Sequence, residues 1–182
     1  MTAEFYSEHE KHGGGISAIE EDSPAGTQVR EYVGEALVRG VGRMFRTTGL
    51  QIGYRYEDSP ICVPDGTPSY PDDPEDFIPS ARPGSRAPHV WLGEGCSTLD
   101  HYGRGFVLIR LGTNAPDGSA LKSEAEVRHV PFKIVTVTQP EATQLYERRL
   151  VLVRPDGHVA WRADEVPRDV GAVIDKVRGV AA

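Results

Sequence analysis

Cysteine is scarce: Cys62 and Cys96 are the only two in 182 residues. They are too few and too far apart for a zinc ribbon or a CxxC redox pair, and in a cytoplasmic chain two free thiols are expected. Long apolar runs are missing as well. None approaches the roughly 18–20 residues of a membrane span, and the opening MTAEFYSEHEKHGGG lacks the basic-then-apolar layout of a signal peptide. A cytoplasmic protein without a membrane partner is therefore expected. Basic charge is in deficit, with 20 Lys and Arg against 27 Asp and Glu and a net charge of −7. That balance opposes docking on a phosphate backbone, so no nucleic-acid partner is expected.

Histidine spacing excludes one more class. His9 and His12 stand three apart beside a glycine triplet, whereas a zincin-type H-E-x-x-H pair needs a four-residue spacing on one helix face. No metal site is expected. Residues 1–22, polar and glycine-containing, read as a flexible N-terminal segment.

What is present begins at Ser23-Pro24, a good cap followed by a residue tolerated in the first helical turn. Val29, Val33, Leu37 and Val41 recur every four residues, which predicts a helix over 23–49 that ends at Gly49. Its apolar stripe faces either a partner surface or this protein's own sheet. Ile52, Tyr54 and Tyr56 alternate with Gln51, Arg55 and Glu57, the period of a half-buried strand. From Pro60 to Pro88 the many Pro, Gly, Ser and Asp predict a long ordered loop or linker.

The second half reads as a small α/β unit. GFVLIRLG and PFKIVTVTQ are short strands, GSALKSEAEVRHV is a helix between them, and PRDVGAVIDKVRGV closes the chain as a helix. LVLVRPDGHVAWR folds back on Pro155 and Gly157 as a hairpin, with Val151, Val153, Val159 and Trp161 supplying core faces. His158 and Arg162 fall on the opposite side from Trp161 and read as a solvated sheet face. Strand, helix, strand, hairpin and helix in that order suit a thioredoxin-like layer among other α+β arrangements.

Three segments, GLQIGYRYEDSPICVPDGTP, PSARPGSRAPHVWLGEGCSTLDHYGRGFVLIRLG and LYERRLVLVRPDGHVAWRADEVP, resemble the C-terminal region of FAD-dependent aromatic-ring monooxygenases of the phenol and 2,4-dichlorophenol hydroxylase type. The resemblance covers residues 23–180. It implies an α/β, thioredoxin-like domain over 50–182, preceded by the long Pro/Gly-rich loop and by a helix over 23–49 equivalent to the end of the substrate and FAD domain. It also implies FAD and NADPH chemistry, yet the G-x-G-x-x-G turn that cradles a dinucleotide pyrophosphate is missing, and HGGGIS is not preceded by a strand. FAD and NADPH are thus implied only through a partner. Nor does a dithiol function follow, because TNAPDGS after the first strand holds no cysteine.

HVWLGEGCSTLDHYGRG is the densest cluster of reactive residue types, and it nominates His89, Asp100 and His101 as acid or base candidates. The resemblance implies instead a structural role for the APHVWL and STLD stretches. Tyr54, Arg55, Tyr56 and Trp91 are interface or binding candidates, Tyr and Arg being enriched in binding hot spots. Three functions remain open. The first is a stand-alone C-terminal module or accessory subunit beside a flavin-binding hydroxylase subunit. The second is a homodimeric scaffold, and the third a cofactor-independent enzyme on an aromatic or polyketide small molecule.

Overall fold

The computed structural model describes residues 16–180, so the His9/His12 reading and the flexible segment as far as residue 15 lie outside the described residues. The chain divides into two compact units, Met1–Thr47 and Thr48–Ala182. In the first, helix α1 (Pro24–Gly40) starts as its sequence dictates: Ser23 is extended, and its hydroxyl accepts from the Gly26 amide at 3.1 Å. Arg30 reaches back to the carbonyls of Ile19 and Glu21, tying α1 to the 3-10 turn Ile16–Glu20. The helix is shorter than the 23–49 expected. It stops at Gly40, and the short turns α2 (Gly42–Phe45) and α3 (Thr48–Ile52) follow. Gly40 and Gly42 supply no side chain to hold a continuous helix there.

The second unit is built on a four-stranded sheet of order β4-β3-β5-β6, comprising β3 (Phe106–Leu111), β4 (Phe132–Val137), β5 (Leu150–Val153) and β6 (Val159–Ala163). β3 and β4 run parallel and are joined through helix α4 (Ser119–Val127), whereas β5 is antiparallel to both β3 and β6. The α/β class expected from the sequence holds, with a helix and a long Pro/Gly-rich loop ahead of the sheet. A separate two-stranded piece, β1 (Trp91–Gly93) and β2 (Cys96–Ser97), precedes it.

The central strands are apolar on both sides because both sides are covered. Leu108, Leu150, Leu152 and Trp161 pack with Leu121 and Ala125 of α4 and with Val173, Ile174 and Val177 of the last helix, α6 (Val170–Val177). Val107, Ile109, Val151 and Val159 pack on the other face with Ala142 and Tyr146 of α5 (Pro140–Tyr146) and with Ala81, Ala87 and Val90 of the long loop. Arg128 locks α4 to α6 through two bonds to Asp175, at 2.9 and 3.0 Å. Those bonds and Arg178 hold the Asp175 carboxyl down at about 2.

The segment 60–88 is ordered against the hairpin. Val63 donates to Ala160, Gly84 to Val159, Val159 to Ser85 and Ala87 to Gly157, all at 2.8–2.9 Å, so the loop pairs with the edge that β6 would otherwise expose. Gly84 is required here: its φ is +92°, and an added Cβ would lie 2.6 Å from the Tyr56 carbonyl oxygen. This cover overturns the solvated-face reading of His158 and Arg162, which are only 1 % and 4 % exposed. The Arg162 Nε donates to Asp65 at 2.6 Å and one Nη to Glu147 at 2.8 Å, while Thr67 donates to Asp65 from both its amide and its hydroxyl.

The expected strand at Gln51–Tyr56 is also corrected. Thr48–Ile52 is a helical turn, closed by the Gly53 amide on the Gly49 carbonyl, and of the residues after it Tyr56 makes one backbone bond to Gly84. The alternation reports which side chains face the hairpin and not a ladder of paired strands.

Two outcomes test this architecture. Leu108→Ala, in the middle of the sheet, should lower unfolding free energy by about 2–5 kcal/mol in urea denaturation. Asp65→Asn should cost about 3 kcal/mol at neutral pH, because it leaves Arg162 buried beside a lost charge partner. Burial pushes the Asp65 carboxyl up, but the bonds from Thr67 and Arg162 outweigh it and hold the group below its ordinary value. The carboxylate's contribution is therefore complete above the unfolded carboxylate range and disappears as pH falls through the depressed native value. The gap between wild type and variant should accordingly narrow in acid, and a gap that widens there would contradict the assignment.

Candidate functional site

Tyr54, Arg55 and Tyr56 are brought to one surface, but alternation sends them in two directions. The Tyr54 and Tyr56 rings lie over His158, with centroids 5.2 and 4.7 Å from the imidazole, and meet each other edge to face at 5.7 Å. Arg86 stands 5.8 Å from the Tyr54 ring centre and Arg154 5.5 Å from that of Tyr56, so two guanidiniums flank the pair. Arg154 is paired with Asp156 at 2.8 Å. Beneath the rings, His158 Nδ1 is 3.5 Å from Asp156, and neither ring nitrogen makes a hydrogen bond among the described residues. Burial foremost, with Arg86 and Arg154 against Asp156, pushes the His158 pKa down and keeps the ring neutral.

Arg55 points the other way, into a cleft of about 590 Å³ whose walls include Leu50, Tyr54, Tyr70, Asp73, Asp76 and Ile78. Its guanidinium lies 4.1 Å above the Tyr70 ring and donates to the Tyr70 carbonyl at 3.0 Å. It also pairs with Asp72 at 2.6 Å and Glu57 at 3.0 Å. Glu57 additionally receives Ser69 and Arg82, and those bonds and charges keep its carboxyl below the ordinary value despite burial. Arg55 is thus a buried tie for the loop, and the cleft's acidic rim is solvent-facing.

The acid and base candidates fall elsewhere. Asp100 is occupied as a cap: its Oδ2 accepts from the Ser97 amide at 2.6 Å and the Ser97 hydroxyl at 2.9 Å, closing the 3-10 turn Thr98–His101. These bonds depress its pKa. His101 borders a shallow hollow of about 340 Å³ together with Asp100, Tyr102, Arg104, Phe132 and Lys133. Burial and Lys133, against Asp100, lower its pKa. His89 stands edge-on to Trp91 at 4.9 Å, and Trp91 is 63 % exposed on β1. The structure therefore places Asp100 beside His101 but puts His89 with Trp91. Ser97 serves the cap, and Cys96 is a free, half-buried thiol.

Sequence reading passed over a buried hydroxyl relay. Tyr146 donates to the Pro88 carbonyl at 2.6 Å and pairs with the Tyr102 hydroxyl at 2.9 Å, and Thr98 donates to the same carbonyl at 2.9 Å. Burial and Tyr146 push the Tyr102 phenol far above its ordinary value, so it stays protonated and structural. The pairing Arg162–Asp65 was equally hidden, its members being 97 residues apart. Among the described residues no group of three or more His, Cys, Asp or Glu could hold a metal, and no helix is long and apolar enough to cross a membrane.

The FAD-dependent monooxygenase opdD of Penicillium oxalicum is 31% identical over 153 residues, which cover 81% of this chain and 29% of that protein. The 2,4-dichlorophenol 6-monooxygenase of Delftia acidovorans is 31% identical over 166 residues, 81% of this chain and 28% of its own. The structure of the rebeccamycin biosynthetic enzyme RebC with reduced flavin superposes with a TM-score of 0.77 at 42% identity, over 98% of this chain and 34% of that one. The chain thus spans about a third or less of the length of these relatives. Residues 80–181 match the family model described as the C-terminal region of aromatic-ring hydroxylases, and the chain belongs to that family through this region.

Proposed function

We propose that the chain acts as the C-terminal module of an FAD-dependent monooxygenase for an aromatic substrate of phenol or polyketide type, joined to a flavin-bearing polypeptide that handles FAD, NADPH and oxygen. The observation that carries this reading is the family match, which falls on the C-terminal region of proteins three times longer. The sheet is compatible with it: a parallel pair joined through α4, followed by an antiparallel hairpin and a closing helix, is the order expected of a thioredoxin-like domain. The turn after β3 carries no cysteine, so a dithiol role is not part of the proposal.

Among the described residues, the turn from β3 into α4 does not suit the pyrophosphate of FAD. A dinucleotide phosphate needs free amides at a helix N-terminus behind a glycine-rich turn. The turn from β3 into α4 has glycines, but the Asp117 carboxylate already accepts from the Ser119 amide and hydroxyl there. Arg110 is likewise engaged by the Ala115 and Pro116 carbonyls. A pyrophosphate would meet a carboxylate in place of open donors.

The test is a reconstitution read at two points. Titrating the purified chain into FAD should leave flavin fluorescence unchanged. Isolation from its own host by a mild affinity step should give a yellow complex heavier than any homo-oligomer, which oxidises NADPH when a phenolic substrate is added. Saturable FAD binding by the chain alone, or a colourless preparation without a flavoprotein, would refute the proposal.

A further inference from the structure

Helix α1 lacks the cover that an amphipathic helix of its length needs. Of its 17 residues only Gly26 is buried. Isolated helices of such length are marginal in water, and in proteins most draw their stability from packing an apolar face. Val29, Val33, Leu37 and Val41 share one side by their four-residue spacing, yet Leu37 is 53% exposed. Val38, Met44 and Phe45 are more exposed still, Phe45 at 81%. The 3-10 turn Ile16–Glu20 covers only the start of the helix, where Arg30 binds its carbonyls and Ala18 comes close to Gly26.

Gly34 adds a second observation. It lies one turn before Leu37 and Val38, and a Cβ added there would meet nothing within 4 Å. Glycine weakens a helix interior, and no neighbour among the described residues calls for one at this point. A glycine set among exposed apolar side chains lets another backbone approach the helix closely. The likeness to RebC points to that missing neighbour. The family's C-terminal region is matched only from residue 80, whereas the superposition on RebC with reduced flavin takes in 98% of this chain and therefore α1 as well. In RebC the segment equivalent to α1 thus precedes the C-terminal region, on one polypeptide with the larger remainder that has no counterpart here.

We propose that the face formed by Gly34, Leu37, Val38, Val41 and Phe45 docks in an apolar groove of the flavin-bearing polypeptide. This chain then supplies in trans a helix that RebC carries in line with the rest of its length. The first four positions fall at i, i+3, i+4 and i+7, the anchor spacing of a helix laid in a groove. Burial of the exposed aliphatic groups offsets the cost of ordering the helix. The proposal rests on the reading of the chain as a module of a flavin monooxygenase and adds to it the surface of attachment.

The full chain tests the two separately. Isolation of the wild type from its own host by a mild affinity step tests the flavin reading, with the partner identified by mass spectrometry and by its bound FAD. The face is then tested on that complex. With p-benzoylphenylalanine in place of Phe45, irradiation should crosslink the chain to the flavoprotein. Leu37→Asp should raise the dissociation constant of the complex by about tenfold or more, whereas Leu37→Met should leave it within about twofold. Gly34→Leu should increase the helicity of the free chain in far-UV circular dichroism and still weaken the complex, an opposition that a purely structural glycine would not give. If the flavoprotein is captured but the crosslink joins a second copy or closes within the chain, or Leu37→Asp binds as the wild type does, the docking face is wrong and the flavin reading stands. If no flavoprotein is captured, both are overturned.

Discussion

The buried pair between Arg162 and Asp65 is the constraint on which the second unit depends. It joins three pieces of chain: Arg162 on β6, Asp65 and Thr67 on the long loop, and Glu147 with the Tyr146 carbonyl at the end of α5. Taking two ions out of water is costly, and only good geometry with the remaining donors and acceptors satisfied offsets it. Here Asp65 accepts three bonds, and the guanidinium reaches partners through each of its nitrogens. An apolar cluster of equal volume could hold the loop as firmly, but it would not set its register. Asp65 is thereby fixed against β6, in the same segment whose Gly84–Ala87 stretch bonds the hairpin and receives the Tyr56 amide, beside the contact of Tyr54 and Tyr56 with His158.

That dependence explains what could be read in the sequence and what could not. β3, β4, α4, α6 and the hairpin were legible because their signals are local: β-branched runs of strand length, helical spacing of valines, and a Pro-Asp-Gly turn with Gly157 at φ +81°. α5 was missed because seven residues from Pro140 to Tyr146 give barely two turns of periodicity, and β1 and β2 are shorter still. The buried state of His158 and Arg162 was illegible for a different reason. Alternation says which residues share a face but not whether that face meets water, and the covering segment is supplied from nearly a hundred residues upstream.

The candidate site shows the same division. Residue types nominated Tyr54, Arg55 and Tyr56 as interface or binding candidates, and their alternation was read as a half-buried strand, whereas it sends the two tyrosines over His158 and Arg55 into the cleft. In the reactive cluster from His89 to Tyr102 several groups carry structural bonds. Its density of functional groups arises from structural tasks placed close together, the Asp100 cap and the Thr98 and Tyr146 bonds to Pro88 among them. Ser97, Thr98, Asp100 and Tyr102 are bonded in this way, whereas His89 lies against Trp91 and His101 borders the hollow.

The loop's charged groups are engaged internally through Arg55, Glu57, Asp65, Arg82 and Arg162, whereas the imidazole of His158 is buried without a hydrogen bond among the described residues. Tyr54 and Tyr56 rest on the buried imidazole of His158. The imidazole is enclosed by Tyr54 and Tyr56, with Arg86 and Arg154 nearby and only Asp156 of opposite charge. Because burial and the two arginines lower its native pKa, the folded arrangement is favoured above the unfolded histidine value and loses that contribution as pH falls through the depressed one. Protonation would set a third positive charge among two guanidiniums beneath the aromatic pair. Acid therefore acts on this surface from within, at the imidazole that Tyr54 and Tyr56 enclose.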